Sequence, residues 1–147
     1  MADLEPLSEH ESLRLLRAGV LGRVVVPTPD GMEIFPVNYT VTDRSVLIRT
    51  APGSLLDRYA DGATLLLETD QVDHERWHGW SVVARGRGER VPDGELSAAE
   101  RAVPGPPRWL SREHDVWIRL SWSEISGRRL GTGWELTSES PVRRWEP

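Results

Sequence analysis

The sequence contains no cysteine and no lysine. Without thiols there is no disulfide, no thiolate nucleophile and no cysteine-ligated zinc. The 18 basic residues are all arginine, a compositional habit of GC-rich genomes to which no mechanism attaches. Nowhere does an apolar run approach the ~20 residues of a membrane helix, so no membrane association is expected. The opening Met1-Ala2-Asp3-Leu4-Glu5-Pro6 is acidic and lacks the basic-then-apolar order of a secretory signal; a cytoplasmic location is the expectation. A basic surface is also missing. Net charge is −5 and the pI is near 5.4, which argues against binding nucleic acid through its phosphates. What is there is ordinary for a globular chain: 38% hydrophobic and 28% charged residues over 147 positions, enough for one domain with its own core. A single domain over 1–147 is expected, with tails at 1–6 and 131–147.

The hydrophobic pattern starts helical and then turns to strands. Ser8 and Glu11 have capping-box spacing, Leu13, Leu15 and Leu16 give an apolar stripe, and Gly19 is the expected stop. From Leu21 the period shortens. Val24-Val25-Val26 is a β-branched run, Thr28-Pro29-Asp30-Gly31 is a turn, and Met32 to Val41 alternates as a strand. Pro36 cannot donate to a ladder, so this strand is at an edge, bulged or without a neighbour there. Ser45 to Thr50 reads as a third strand and Leu55 to Tyr59 as a short helix capped by Ser54. Ala63 to Glu68, Trp80 to Val91 and Asp115 to Trp122 complete six strands, with a charged loop from Asp70 to His78 and a helix from Glu95 to Ala102. Pro104-Gly105-Pro106-Pro107 ends that helix. Six closely spaced strands with short flanking helices and no regular crossover helices predict a mostly β, antiparallel, closed or partly closed barrel. Gly86-Arg87-Gly88 lies within a strand pattern and is no dinucleotide fingerprint.

One stretch carries chemistry in its own right. A strand ending in Arg49-Thr50, a glycine turn at Gly53 and a helix opening at Ser54 make an anion site: free N–H groups at the helix start, close backbone approach at Gly53, and a forked cation in Arg49. The plain alternative is that Ser54 caps a helix, worth about 1 kcal/mol, and Arg49 ends a solvated strand. Trp80 and Ser81 divide likewise between ring wall plus hydroxyl and core indole plus exposed serine. His74 and His78 stand four apart beside Asp70 and Asp73, a spacing that needs a helix to align both rings; since this stretch reads as a loop, no metal is expected. His10 and His114 read as isolated surface residues. Trp109, Trp117, Trp122, Trp134 and Trp145 concentrate late in the chain, as residues of an interface core or of a cleft wall do.

Four stretches in order resemble the pyridoxamine 5'-phosphate oxidase-related family, the FMN-binding split barrels. They are Pro36-Val37-Asn38-Tyr39, Arg49-Thr50-Ala51-Pro52-Gly53-Ser54, Gly79-Trp80-Ser81-Val82 with Gly86, and Ile125-Ser126-Gly127-Arg128-Arg129. The resemblance spans roughly Leu7 to Leu130. It implies a six-stranded antiparallel split β-barrel, a homodimer, and FMN held at the dimer interface by Asn38, Arg49, Thr50, Gly53, Ser54, Trp80, Ser81 and Val82, with the phosphate on the stretch from Arg49 to Ser54. One position departs from the family pattern. The residue after the serine is usually lysine and here is Leu55; Arg58, Arg128 and Arg129 are candidate replacements for that charge. Arg128-Arg129 has no accompanying histidine, so oxidation of pyridoxamine phosphate itself is not expected. The implied activity is an FMN-dependent oxidoreductase acting on a small molecule such as a nitroaromatic or quinone. The alternatives are a non-enzymatic flavin- or haem-binding protein, favoured by Leu55, and a reductase using the deazaflavin F420.

Overall fold

The computed structural model describes residues 4–102 and 115–131. The proline-rich stop at 104–107, Trp109, His114, Trp134 and Trp145 lie outside the described residues. In chain order the elements are β1 (Leu4–Pro6), α1 (Glu9–Ala18), β2 (Leu21–Thr28), β3 (Gly31–Thr42), β4 (Ser45–Thr50), α2 (Leu55–Tyr59), β5 (Thr64–Asp73), β6 (His78–Val91), α3 (Ala98–Ala102) and β7 (Val116–Leu130), with a single 3-10 turn at Asp93–Glu95 before α3.

Every strand pairing is antiparallel, and the strand order is β1-β7-β4-β3-β2-β5-β6 with β6 also paired to β7. That last pairing closes a six-stranded ring, and β1 is added outside it. Residues 4–6, expected as part of a tail, thus form a strand against Arg128–Leu130.

Alternation decides which side chains enter the ring. Val24 and Val26 of β2, Val37 and Tyr39 of β3, Val46 and Ile48 of β4, Leu65 and Leu67 of β5, Trp80, Val82 and Ala84 of β6, and Ile118, Leu120 and Trp122 of β7 build one core. The helices plug its two ends. Leu15 and Leu16 of α1 enter near the Gly127 end of β7, where Leu7 N–H donates to the Gly127 carbonyl; Leu56 of α2 enters near the Val116 end, where Gly62 N–H donates to Gly88. The capping box of α1 forms as read: Ser8 Oγ accepts from Glu11 N–H at 3.1 Å and the Glu11 carboxylate accepts from Ser8 N–H at 3.0 Å. Gly19 does end the helix, but with φ −74 it is no left-handed cap. Its reason is space, because any Cβ there would strike the Tyr39 hydroxyl, which donates to the Leu16 carbonyl at 2.8 Å.

Three expectations are corrected. Residues 70–73 continue β5, with Asp73 opposite His78, so the charged segment is a hairpin with its turn at 74–77. No helix aligns His74 with His78. β7 runs on past Trp122 to Leu130, after a register shift opposite Arg85 and Gly86. The expected helix from Glu95 is split: α3 starts only after Ser97, which accepts from Glu100 N–H at 3.1 Å while donating its own N–H to Glu100 at 2.7 Å. A second capping box, unread in the sequence, sets that boundary. The reading of Pro36 holds. Tyr39 donates its N–H to the Val20 carbonyl, so by alternation the Pro36 nitrogen points to the other side, where β4 pairs only from Tyr39 onward.

Candidate functional site on the outer barrel face

Residues that alternate with the core face outward. Tyr39 and Ile48 are partners inside the barrel, so Asn38 and Arg49, next to them along β3 and β4, both face out. Arg49 is itself opposite Trp117 of β7. Its guanidinium lies over the Trp117 ring, 4.5 Å from the centroid, and its Nε is 3.4 Å from Asp115 Oδ2. Both partners of that ion pair are largely buried, and Asn38 is only 6% exposed although it is on the outer face. A planar cation stacked on an indole is stabilised by the ring quadrupole and fixed in orientation.

The strand then ends in the bend the sequence singled out. Thr50 and Ser54 share a hydrogen bond of 2.8 Å between their hydroxyls. Gly53 has φ +77, a left-handed backbone that makes glycine the suitable residue there. Ser54 caps α2 by accepting from Asp57 N–H at 3.2 Å. The Gly53 N–H, however, donates to Asp57 Oδ2 at 2.8 Å, and Asp57 Oδ1 accepts from Arg90 Nε at 2.6 Å. The Gly53 hydrogen bond, and after it that of Arg90, holds the Asp57 carboxyl below its usual range. α2 has only five residues, too few turns to build a strong helix dipole.

Asn38 and Arg49 therefore share the outer face at the end of β4, while Thr50, opposite the core residue Val116, is on the inner side of the strand and joins Gly53 and Ser54 through the bend. The other three residues are placed differently. Trp80 and Val82 point into the core and are almost fully buried, so neither side chain is on the outer face. Ser81 faces outward between Asp70 and Arg128. It lies on β6, separated from β3 by β2 and β5, or about 14 Å around the sheet at ~4.8 Å per strand. The surface between carries Leu21 opposite Asn38 and an arginine shared by two acids: Arg23 Nη2 donates to both Asp70 oxygens at 3.2 Å, and its Nη1 is 3.2 Å from Glu68. Burial, followed by the neighbouring Asp70, pushes the Glu68 carboxyl up.

The candidate replacements for the missing lysine also separate. Arg58 stacks on Tyr59, Arg128 is beside Ser81, and Arg129 pairs with Glu5 of β1. The arginine that reaches the bend is Arg90. Asp57, Arg90 and Asp115 were missed from the sequence, and Trp117 was named only among the late tryptophans of an interface or cleft wall. Only Asp57 had a readable signal, its place three residues after the Ser54 cap.

A closed antiparallel six-stranded ring, end-plugged by two helices and carrying an arginine-serine bend on its outer face, defines the split-barrel class. The chain belongs to the pyridoxamine 5'-phosphate oxidase family, whose model matches residues 8–129. It is 33% identical over 129 residues to an uncharacterized protein of Mycobacterium tuberculosis, covering 84% of each chain. Among solved structures it resembles the FAD binding protein of Mycobacterium smegmatis, at 33% identity and TM-score 0.66, over 86% of this chain and 98% of that one. A Corynebacterium glutamicum protein, provisionally assigned as a pyridoxamine 5'-phosphate oxidase, matches at 33% identity and TM-score 0.71, over 89% of this chain and 96% of the other. Among the described residues no helix is long and apolar enough to cross a membrane.

Proposed function

We propose that this protein binds a flavin on the outer barrel face and works as a flavin-dependent oxidoreductase on a small molecule. The observation that carries the reading is Arg49, largely buried, stacked on Trp117 and set beside Asn38 at the start of the Arg49–Ser54 bend. A flavin supplies the electron transfer; the protein supplies position, polarity and water exclusion. The Mycobacterium smegmatis relative, described as an FAD binding protein, favours FAD over the FMN that the sequence pattern implied. The test is direct. Purified protein is expected to absorb as a flavoprotein and to release a flavin identified by mass; protein that is colourless and takes up no added flavin overturns the reading. Replacing Arg49 by alanine is expected to weaken flavin binding at least about tenfold, read by fluorescence titration, and an unchanged titration would remove Arg49 from the site.

The working unit in this reading is a homodimer. Met32 and Ile34 of β3 are 63% and 62% exposed, with Pro27 and Val25 opposite them on β2. A contiguous apolar face of this kind favours association. Ile34→Asp is expected to convert a dimer to a monomer in sedimentation velocity; a wild-type chain already monomeric at micromolar concentration would refute the assembly.

A further inference from the structure

The terminal phosphate of FMN, by the sequence pattern, belongs on the bend from Arg49 to Ser54, yet several of the groups meant to receive it are already engaged. The Gly53 N–H is bonded to Asp57, the Ser54 hydroxyl to Thr50 and to the Asp57 N–H, and Arg90 to Asp57. Arg49 faces a second carboxylate, Asp115. These residues do not fit a phosphomonoester. A terminal phosphate carries about −1.5 to −2 charge, and the corner that would hold it already has an anion of its own.

We propose that Asp57 is a specificity-determining residue: its carboxylate occupies the place of a terminal phosphate and turns the site against flavins that end in that dianion. The proposal rests on the flavin reading above and refines it. The flavins accepted are those that put less charge on this corner: riboflavin, which has no phosphate, and FAD, whose linked phosphates each carry a single negative charge instead of a terminal dianion. Charge is the obstacle, not volume. A Cβ built on Gly53 meets no atom within 4 Å, so there is open space over the bend. Asp57 has the two features needed for discrimination. It is held in place from two sides, by Gly53 and by Arg90, and it is ionised at neutral pH because both contacts favour the carboxylate. Leu55, at the position where a lysine would offset the added charge, leaves Arg90 as the cation bonded to this carboxylate.

The experiment compares riboflavin, FMN and FAD on the full chain and on Asp57→Asn. Asparagine keeps an oxygen for the Gly53 N–H and keeps the turn while removing the charge. The wild-type protein is expected to bind FMN no more than about threefold more tightly than riboflavin, and Asp57→Asn to raise that FMN-to-riboflavin ratio at least about tenfold. A wild-type FMN preference above that limit, or a ratio unmoved by the substitution, overturns the proposal. A second measurement stands apart from the cofactor: the Gly53 amide resonance followed during titration with inorganic phosphate. It is expected to stay still in the wild type and to shift saturably in Asp57→Asn. A saturable shift in the wild type overturns the proposal. If none of the three flavins binds, the flavin reading fails and the amide titration still decides the role of Asp57.

Discussion

Replacing Glu100 with alanine is expected to cost about 3–5 kcal/mol of stability, the usual loss when one partner of a buried ion pair is removed. Glu100 is on α3 and only 5% exposed. It receives two bonds from one guanidinium, Arg119 Nε to Oε1 at 2.5 Å and Nη2 to Oε2 at 2.8 Å, while Arg119 Nη1 donates to Glu89 of β6 at 2.8 Å. The fork thus joins a helix to two strands that already face each other in register, Glu89 opposite Arg119. Alanine leaves Arg119 with one partner and a desolvated charge, and it removes the acceptor that caps α3 through the Ser97 N–H. The Arg119 bonds, with the Ser97 N–H, hold the Glu100 carboxyl below its ordinary range. A depressed carboxylate contributes stability that is fully present above the unfolded-state value and is lost as pH falls through the folded one. Urea unfolding of wild type and Glu100→Gln across pH 3 to 7 is the check, with the gap between them wide at the neutral end and closing at the acid end; a gap independent of pH would mean the carboxylate charge contributes nothing. Arg119→Met, which removes the cation and leaves Glu100 buried, is expected to lose as much as Glu100→Ala.

Much of this fold could be read from local pattern, and the unread parts share a cause. The cap of α1 was visible because Ser8 and Glu11 are three residues apart and satisfy each other. The strands β2, β3 and β4 were visible as a β-branched run, an alternating stretch and a short segment bounded by turn residues. The far halves of β5 and β7 were not. Asp70 to Asp73 and Ser123 to Leu130 mix polar with apolar side chains and so lack a clear apolar alternation, and a ladder is held by main-chain groups that leave no mark in composition. In β7 the register shift opposite Arg85 also breaks the alternation. The site divides along the same line. Arg49, Thr50, Gly53 and Ser54 are adjacent in sequence, so their bend could be recognised. Asp115 and Trp117 arrive through β7, with Arg49 opposite Trp117 and Thr50 opposite Val116, and Arg90 through β6, opposite Ile118; no local window contains them. Strand parity alone separates Ser81 from its neighbours: a period of two cannot send Trp80, Ser81 and Val82 to one face.

Gly86→Ala is expected to be the most damaging of the conservative substitutions, with a loss of about 3 kcal/mol, the upper end for overpacking a tight site. Gly86 belongs to a stretch that marked the family, and the structure supplies the reason. A Cβ at this position would enter the backbone of β7, meeting the Ser121 carbonyl and the Trp122 Cα closer than any real side chain approaches. Neither is the end of a flexible side chain that can swing aside. The contact falls where Arg85 pairs with Glu124 and Gly86 with Trp122, so that Ser123 is the extra residue of a bulge. Relief requires moving β7 away from β6, and that pairing is the one that closes the ring. The damage is therefore expected to spread beyond the substituted residue, lowering protection of the β6 and β7 amides in hydrogen exchange together with the global urea midpoint. Gly94→Ala is the matched control, because a Cβ there meets nothing within 4 Å, and it is expected to change stability by less than about 0.5 kcal/mol. If Gly86→Ala behaves like that control, the seam between β6 and β7 has slack that this register does not allow.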